Sequence, residues 1–195
     1  MQMTMRWMRM SNSMVVLLVL ATAVAGCSSS TSPNYPDAYH QALLATPASP
    51  PPSDAAQRFA QLYELTDQPG YEQRTRAFYA PRLYFNDTLT TLGSADQIVE
   101  HLGRLHDGGS RIDVEIDDVL TNGTDLYVRW TMDASFSALG SARTSRTIGI
   151  SQLRFDTDGR VVLQQDFWDP VEGFYRFVPV LGDAIESVRR RFDAR

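Results

Sequence analysis

The feature that most constrains the fold is a change in the period of the apolar residues, which occurs after the first half of the chain. Apolar residues recur at helical spacing over 94–105, and they alternate with polar residues over about 112–168. Within the alternating stretch, Asn122-Gly123 and Asp158-Gly159 are typical of hairpin turns. Because helices precede the strands and a helical pattern returns at about 183–192, we predict an α+β domain. Its antiparallel sheet is expected to curve around the N-terminal helices into a cone with a pocket at the wide end.

The N-terminus has the pattern of an export signal. Arg6 and Arg9 precede an apolar run over 14–25, which is shorter than the roughly 20 residues that span a bilayer. The run ends in Val24-Ala25-Gly26-Cys27, which resembles the lipobox of bacterial lipoproteins. We predict cleavage before Cys27, lipidation of that cysteine, and anchoring to membrane lipid through its acyl chains. The alternative is an ordinary signal peptide with a chance cysteine.

This interpretation divides the chain into three parts. They are a lipoprotein signal peptide over 1–26, a lipidated cysteine with a Ser/Pro-rich tether over 27–53, and a folded domain over 54–195. Ser28 follows the cysteine, and by resemblance to lipoproteins with sorting rules this favours the outer membrane, facing the periplasm. Since Cys27 is the only cysteine, we expect no disulfide and no cysteine-based metal site in the mature domain.

The composition argues against several classes of function. Removal of 1–26 leaves 16 arginines and 23 acidic residues, a net charge of −7, and nucleic-acid binding needs a basic surface instead. The chain has no lysine, which excludes Schiff-base chemistry. His101 and His106 are five residues apart and do not share a helical face, so we interpret both as surface histidines. We therefore expect no metal, no cofactor and no nucleic acid.

Several motifs of the domain resemble those of one known family. They are Phe78-Tyr79-Ala80-Pro81 with Leu83-Tyr84-Phe85-Asn86-Asp87, Leu92-Gly93-Ser94-Ala95-Asp96-Gln97-Ile98, Leu126-Tyr127-Val128-Arg129-Trp130, and Gly159-Arg160-Val161-Val162 with Asp166-Phe167-Trp168-Asp169. Together they cover nearly all of 54–178. The domain resembles the SnoaL-like branch of the nuclear transport factor two-like superfamily, which includes ketosteroid isomerase, scytalone dehydratase and limonene epoxide hydrolase. The resemblance implies a cone-shaped fold that hosts isomerases, hydrolases, dehydratases and plain binders.

The resemblance to limonene epoxide hydrolase also implies roles for individual residues. The Tyr-x-Asn pair of that enzyme, which holds a water, matches Tyr84 and Asn86, and its base matches Asp166. Its Arg-x-Asp pair, which orients the base and protonates the epoxide oxygen, aligns with Trp130 and Met132. Because Trp and Met cannot stabilise a developing alkoxide, we do not expect epoxide hydrolysis.

The residues alone leave the orientation of Asp166 open. It shares a strand face with Trp168, and Phe167 lies on the other face, so each face carries an aromatic residue. The resemblance places Asp166 inside, where desolvation would make it a base or a hydrogen-bond donor. The alternative is a solvent-facing Asp. Tyr84 and Asn86 either bind a water or a ligand oxygen, or they serve as a core residue and a turn residue.

The sequence leads to two hypotheses of function, one of a binding protein and one of an enzyme. Trp130, Met132 and Trp168 are predicted to line an apolar pocket, so the first is a periplasmic lipoprotein that binds a small apolar molecule without catalysis. The second is a hydrolase or isomerase that uses Asp166 as general base, with the Tyr-x-Asn pair as polarising groups. We favour the binder. We also expect that a homodimer can form through the open face of the sheet.

Overall fold

A computed structural model describes residues 35–64, 69–107, 109–138 and 140–193. The chain divides into two compact units, 1–37 and 38–195, and the described part of the first is its last three residues. The predicted signal peptide and Cys27 therefore lie outside the described residues. Within the described ranges, no helix combines the length and the apolar character needed to cross a membrane.

The described residues form six α-helices, a short 3₁₀ helix and six strands. The helices are α1 (Tyr35–Ala45), α2 (Ala55–Glu64), α3 (Tyr71–Phe78), α4 (Ala95–Asp107), α5 (Pro170–Gly173), the 3₁₀ helix η1 (Tyr175–Phe177) and α6 (Leu181–Asp193). The strands are β1 (Tyr79–Asn86), β2 (Thr91–Ser94), β3 (Arg111–Asn122), β4 (Asp125–Ala138), β5 (Ser141–Phe155) and β6 (Val161–Trp168).

The strands form one curved, unclosed sheet in the order β2-β1-β6-β5-β4-β3. Neighbouring strands are antiparallel except β1 and β6, which pair in parallel. Phe59 of α2 and Ile98 and Leu102 of α4 are buried in the core with side chains of the sheet. The burial of these apolar helix faces holds the helices within the curve of the sheet. The predicted α+β fold with a curved sheet is therefore confirmed. The sheet is not antiparallel throughout as predicted, because β1 returns beside β6 in parallel.

Part of the predicted tether is folded onto the sheet. The Arg154 guanidinium donates to the Leu43 carbonyl at 2.7 Å, and the Ser49 N–H donates to the Phe155 carbonyl at 2.8 Å. The structure thus differs from the predicted tether over 38–49, because β5 supplies polar partners that the composition of this segment does not reveal. The boundaries of the three predicted parts otherwise stay predictions.

The outer face of the sheet leaves apolar side chains in solvent. Ile148 is 72 % exposed and Phe167 is 43 % exposed. Tyr39 of α1 packs edge-on against the Phe167 ring at 6.1 Å and donates to Gln152 Oε1 at 2.6 Å, so α1 covers part of this face. A homodimer through the uncovered part of the sheet stays a prediction.

Candidate functional site

An apolar cavity of about 210 Å³ lies in the second unit of the protein. Its wall combines many apolar side chains with a few polar groups. The aromatic, carboxyl and imidazole side chains in this wall are those of Tyr63, Phe85, Asp87, His101, Trp130, Phe136, Asp166, Trp168 and Phe174. A largely apolar cavity with a small number of polar groups is the usual form of a small-molecule site.

The structure places Asp166 in the wall of this cavity. Residues of a strand alternate between the two faces of the sheet, so Asp166 and Trp168 point inward and Phe167 points outward. Asp166 is only 5 % exposed. The orientation that the sequence left open is therefore settled by the helices, which cover the inner face of β6.

A buried hydrogen-bond network holds the Asp166 carboxyl. The Gln164 amide nitrogen donates to both carboxyl oxygens, at 3.0 and 3.1 Å, and to the Tyr63 hydroxyl at 3.3 Å. The Tyr79 hydroxyl donates to the Gln164 amide oxygen at 2.7 Å, which fixes the orientation of that amide. The Ser151 hydroxyl bonds to the carboxyl on another side. Asp166 is thus held firmly in a buried position.

Burial raises the pKa of Asp166 from its usual value near 3.8 to about 7. The hydrogen bond from Ser151 opposes this rise, the charge of Asp87 adds to it, and the hydrogen bond from Gln164 opposes it again. Burial and the charge of Asp166 also raise the pKa of Tyr63 well above its usual value. The Tyr63 phenol therefore stays protonated near neutral pH, where Asp166 can exchange a proton.

The three predicted pocket residues all line the cavity. The Trp130 indole N–H donates to the Ser151 hydroxyl oxygen at 2.9 Å, which leaves the single hydroxyl proton of Ser151 for the Asp166 carboxyl. The Trp168 indole N–H donates to the Asp87 carbonyl at 2.7 Å. Met132 is half-buried beside them. Both indoles thus present apolar rings to the cavity while their polar atoms are satisfied elsewhere.

The structure does not bring Tyr84 and Asn86 together with Asp166 at the cavity wall. The Tyr84 hydroxyl donates to the Gln165 amide oxygen at 3.1 Å, and the Gln165 amide nitrogen donates to Asn86 Oδ1 at 3.1 Å. Gln165 precedes Asp166 and points to the opposite face of β6. Neither residue of the Tyr-x-Asn pair lines the cavity. The parallel pairing of β1 with β6 sets this orientation, because it aligns Asn86 with Gln165.

Asp87 and His101 are among the cavity residues that the sequence interpretation missed. His101 of α4 is not a surface residue: its Nε2 lies 3.0 Å from the Asp87 carboxylate, and both side chains are only 16 % exposed. A spacing signal was present, because His101 is three residues after Ile98 and one before Leu102, on the apolar stripe of the helix. No sequence signal marked Asp87. Among the described residues, no three His, Cys, Asp or Glu side chains are grouped as metal ligands.

The curved sheet and the helices packed against it form a fold of the nuclear transport factor two-like type. The family model of the SnoaL-like domain matches residues 56–164, which is more than half of the chain. The protein therefore belongs to the SnoaL-like domain family, as its motifs predicted. No curated protein matches the chain significantly.

Solved structures share the fold at low sequence identity. An epoxide hydrolase of the limonene type from Mycobacterium tuberculosis is 16% identical over 63% of this chain and 87% of its own, with a TM-score of 0.50. A protein assigned as a SnoaL-like polyketide cyclase from Shewanella denitrificans is 19% identical over 62% and 94%, with a TM-score of 0.52. A protein with the ketosteroid isomerase-like fold from Catenulispora acidiphila, in complex with trimethylamine, is 11% identical over 62% and 89%, also with a TM-score of 0.52. These likenesses concern the fold alone.

Proposed function

We propose that the domain binds a small, largely apolar molecule inside its cavity. The observation that carries this proposal is the make-up of the wall, in which Trp130, Trp168 and Phe136 lie together with the buried carboxyl of Asp166. Apolar surface gains about 25 cal/mol for each Å² removed from water, so a ligand that covers these rings is stabilised. The carboxyl gives the ligand a fixed orientation.

The size of the cavity limits the ligand to about one ring. An apolar protein cavity of about 150 Å³ is enough to hold benzene, and this cavity is about 210 Å³. Typical drug-sized sites begin at about 300 Å³. We therefore propose a monocyclic ligand rather than a multi-ring or long-chain one.

Calorimetric titration with toluene tests the binding proposal. Toluene has seven non-hydrogen atoms, and we expect a Kd on the order of 0.1–1 mM. Ala134 lines the cavity, so Ala134→Phe is expected to fill it and abolish measurable binding. Ala142→Phe, at an exposed site on β5, is the matched control and should bind like the wild type. Absence of toluene binding in the wild type, or equal binding in the filled variant, would contradict the proposal.

A second candidate function is proton-transfer catalysis with Asp166 as the base. The favouring observation is a carboxyl whose pKa is about 7 in a cavity that also exposes the Tyr63 phenol. A base acts best when its pKa is near the working pH. In such a reaction the Asp166 carboxylate would take a proton from carbon beside a carbonyl, leaving a dienolate, and would return it to another carbon. Epoxide opening is not proposed, because Trp130 and Met132 replace the acid pair that it needs.

Isomerisation of 3-cyclohexen-1-one to 2-cyclohexen-1-one provides the test of catalysis, since its single ring suits the cavity. The conjugated product is followed by its ultraviolet absorbance. We expect the rate to rise as Asp166 ionises, with a midpoint near pH 7, and to fall about 10²–10⁴-fold in Asp166→Asn. Equal rates in the two proteins would exclude Asp166 as the base and leave the domain as a binder.

We also propose that the protein is a lipoprotein held at the periplasmic face of the outer membrane by acylated Cys27. The support is the sequence of the predicted export signal, with its lipobox-like end. Cells fed an alkyne-tagged fatty acid should label the wild-type chain and should not label Cys27→Ala, which we expect to move from the membrane to the soluble fraction. The proposed anchor would be contradicted if the wild type and Cys27→Ala were labelled equally, or if both stayed in the membrane fraction.

A further inference from the structure

A second polar pair in the cavity wall has no role in the proposed binding of apolar surface. The Asp87 carboxylate and the His101 imidazole both line the cavity, and they lie 3.0 Å apart. They come from different elements, since Asp87 follows β1 and His101 belongs to α4. Asp166 reaches the same cavity from β6. The parallel register pairs Asn86 with Gln165, so Asp87 and Asp166 follow in neighbouring positions, and His101 adds a third polar side chain to the wall.

The Asp87 carboxylate is held through both of its oxygens, since Oδ2 faces His101 and Oδ1 has two partners of its own. Its Oδ1 accepts from the backbone N–H groups of Leu89 at 2.9 Å and Thr90 at 2.7 Å. Its backbone carbonyl accepts from the Trp168 indole at 2.7 Å. The turn that follows it contains Thr88 in the left-handed region, at φ 70°, which non-glycine residues seldom adopt. Strain of this kind is typical of functional sites.

His101 is held in turn by Asp87. One imidazole nitrogen, Nε2, faces the carboxylate, and the ring packs edge-on against Phe85 at 6.4 Å. A carboxylate that bonds one ring nitrogen of a histidine sets the orientation of the ring and the role of the other nitrogen. In the described part of the chain, no side chain or backbone group bonds to Nδ1 of His101. His101 lines the cavity, so Nδ1 is the nitrogen of this ring that is left for a ligand.

We propose that His101, positioned by Asp87, is a second polar contact for the ligand, so that the natural ligand is a one-ring molecule with two polar groups. One group faces the Asp166 carboxyl and the other faces the His101 imidazole. The apolar ring of the ligand packs against Trp130 and Trp168, which line the same cavity. The inference rests on the proposed binding function and names the chemical class of ligand that the same cavity selects.

Three probes of nearly equal size test this inference: toluene, p-cresol and 4-hydroxybenzyl alcohol, which carry no, one and two polar groups. In the wild type we expect affinity to rise along this series, by about two- to tenfold for each polar group. In His101→Leu the preference for 4-hydroxybenzyl alcohol over p-cresol should fall to about one. His101→Gln, which keeps a polar side-chain end, should restore part of it. His106→Leu, at an exposed site of the same helix, is the matched control and should keep the full preference.

NMR of the His101 imidazole in the wild-type protein tests the same contact without relying on a variant that has to fold. The ring signals of His101 should move with 4-hydroxybenzyl alcohol and stay in place with toluene. The second contact would be overturned if His101→Leu kept the preference for 4-hydroxybenzyl alcohol over p-cresol. It would also be overturned if the His101 ring signals did not move when 4-hydroxybenzyl alcohol was added. Neither result would contradict the binding of toluene. Failure of all three probes to bind the wild type would overturn the binding function itself, and the inference with it.

Discussion

An Asp166→Asn variant is expected to lose most of the pH dependence of stability between pH 4 and pH 7. The pKa of Asp166 is raised in the folded protein to about 7, from about 3.8. In that window the folded state therefore holds a proton that the unfolded state has released, so the free energy of unfolding falls as the pH rises. Each pKa unit corresponds to about 1.4 kcal/mol, which gives a fall of up to about 4 kcal/mol. Asn cannot ionise, so the variant should be more stable than the wild type at pH 8 by a similar amount.

Urea unfolding at pH values from 4 to 8 measures this difference. Asp113→Asn, at an exposed position on β3, is the matched control and should leave the pH profile of the wild type in place. If Asp166→Asn and the wild type show parallel profiles, the Asp166 carboxyl is solvated and the account of the cavity wall is wrong.

A Gly149→Ala variant is expected to lose about 3 kcal/mol of stability, through overpacking. Gly149 of β5 pairs with Trp130 on one side and Trp168 on the other. A Cβ at this position would overlap the Trp130 ring, which is 2 % exposed and is held by its bond to Ser151. The ring cannot move aside without breaking that bond, and the cavity wall should change with it. Urea unfolding and toluene titration measure the two effects.

A smaller ring at position 130 provides the complementary test. Trp130→Phe removes the atoms that the methyl group introduced by Gly149→Ala would meet, so the double variant should be less destabilised than the sum of the two single changes. Gly93→Ala in β2 is the matched control, because its Cβ meets only the Gln97 side chain at an ordinary 3.7 Å. Equal losses in Gly149→Ala and Gly93→Ala would mean that Trp130 does not hold the position described here.

The helix that begins at Ala95 and the strands β3 to β6 could be predicted because each of these elements carries its own period. Helix α1, which lies in the predicted tether, and the short strand β2 were not predicted. The alternation of apolar and polar residues over β3 to β6 and the two predicted hairpin turns are properties of neighbouring residues in the sequence. The structure contains these strands and both turns. The orientation of Asp166 could not be predicted in this way, since Trp168 and Phe167 place an aromatic on each face of β6. Only the position of the helices against one face decides between them.

The contacts of the site depend on parts of the chain that are far apart. Tyr84 and Asn86 match a family motif, yet the parallel pairing of β1 with β6 turns them toward Gln165 and away from the cavity. The bond between Asp87 and His101 joins the loop after β1 to the middle of α4. Neither the strand period nor the helix period contains this information, because both describe one element at a time.

The proposed site depends on Asp166 being a buried carboxyl that faces a cavity able to admit one apolar ring. Both properties can be measured by carbon-13 NMR of the Asp166 carboxyl, identified by its loss in Asp166→Asn and titrated with and without saturating toluene. We expect a midpoint at about pH 7 without toluene, and a midpoint at higher pH with it, because the ring displaces water that would solvate the charge. A midpoint near 3.8 that does not respond to toluene would contradict the proposed site.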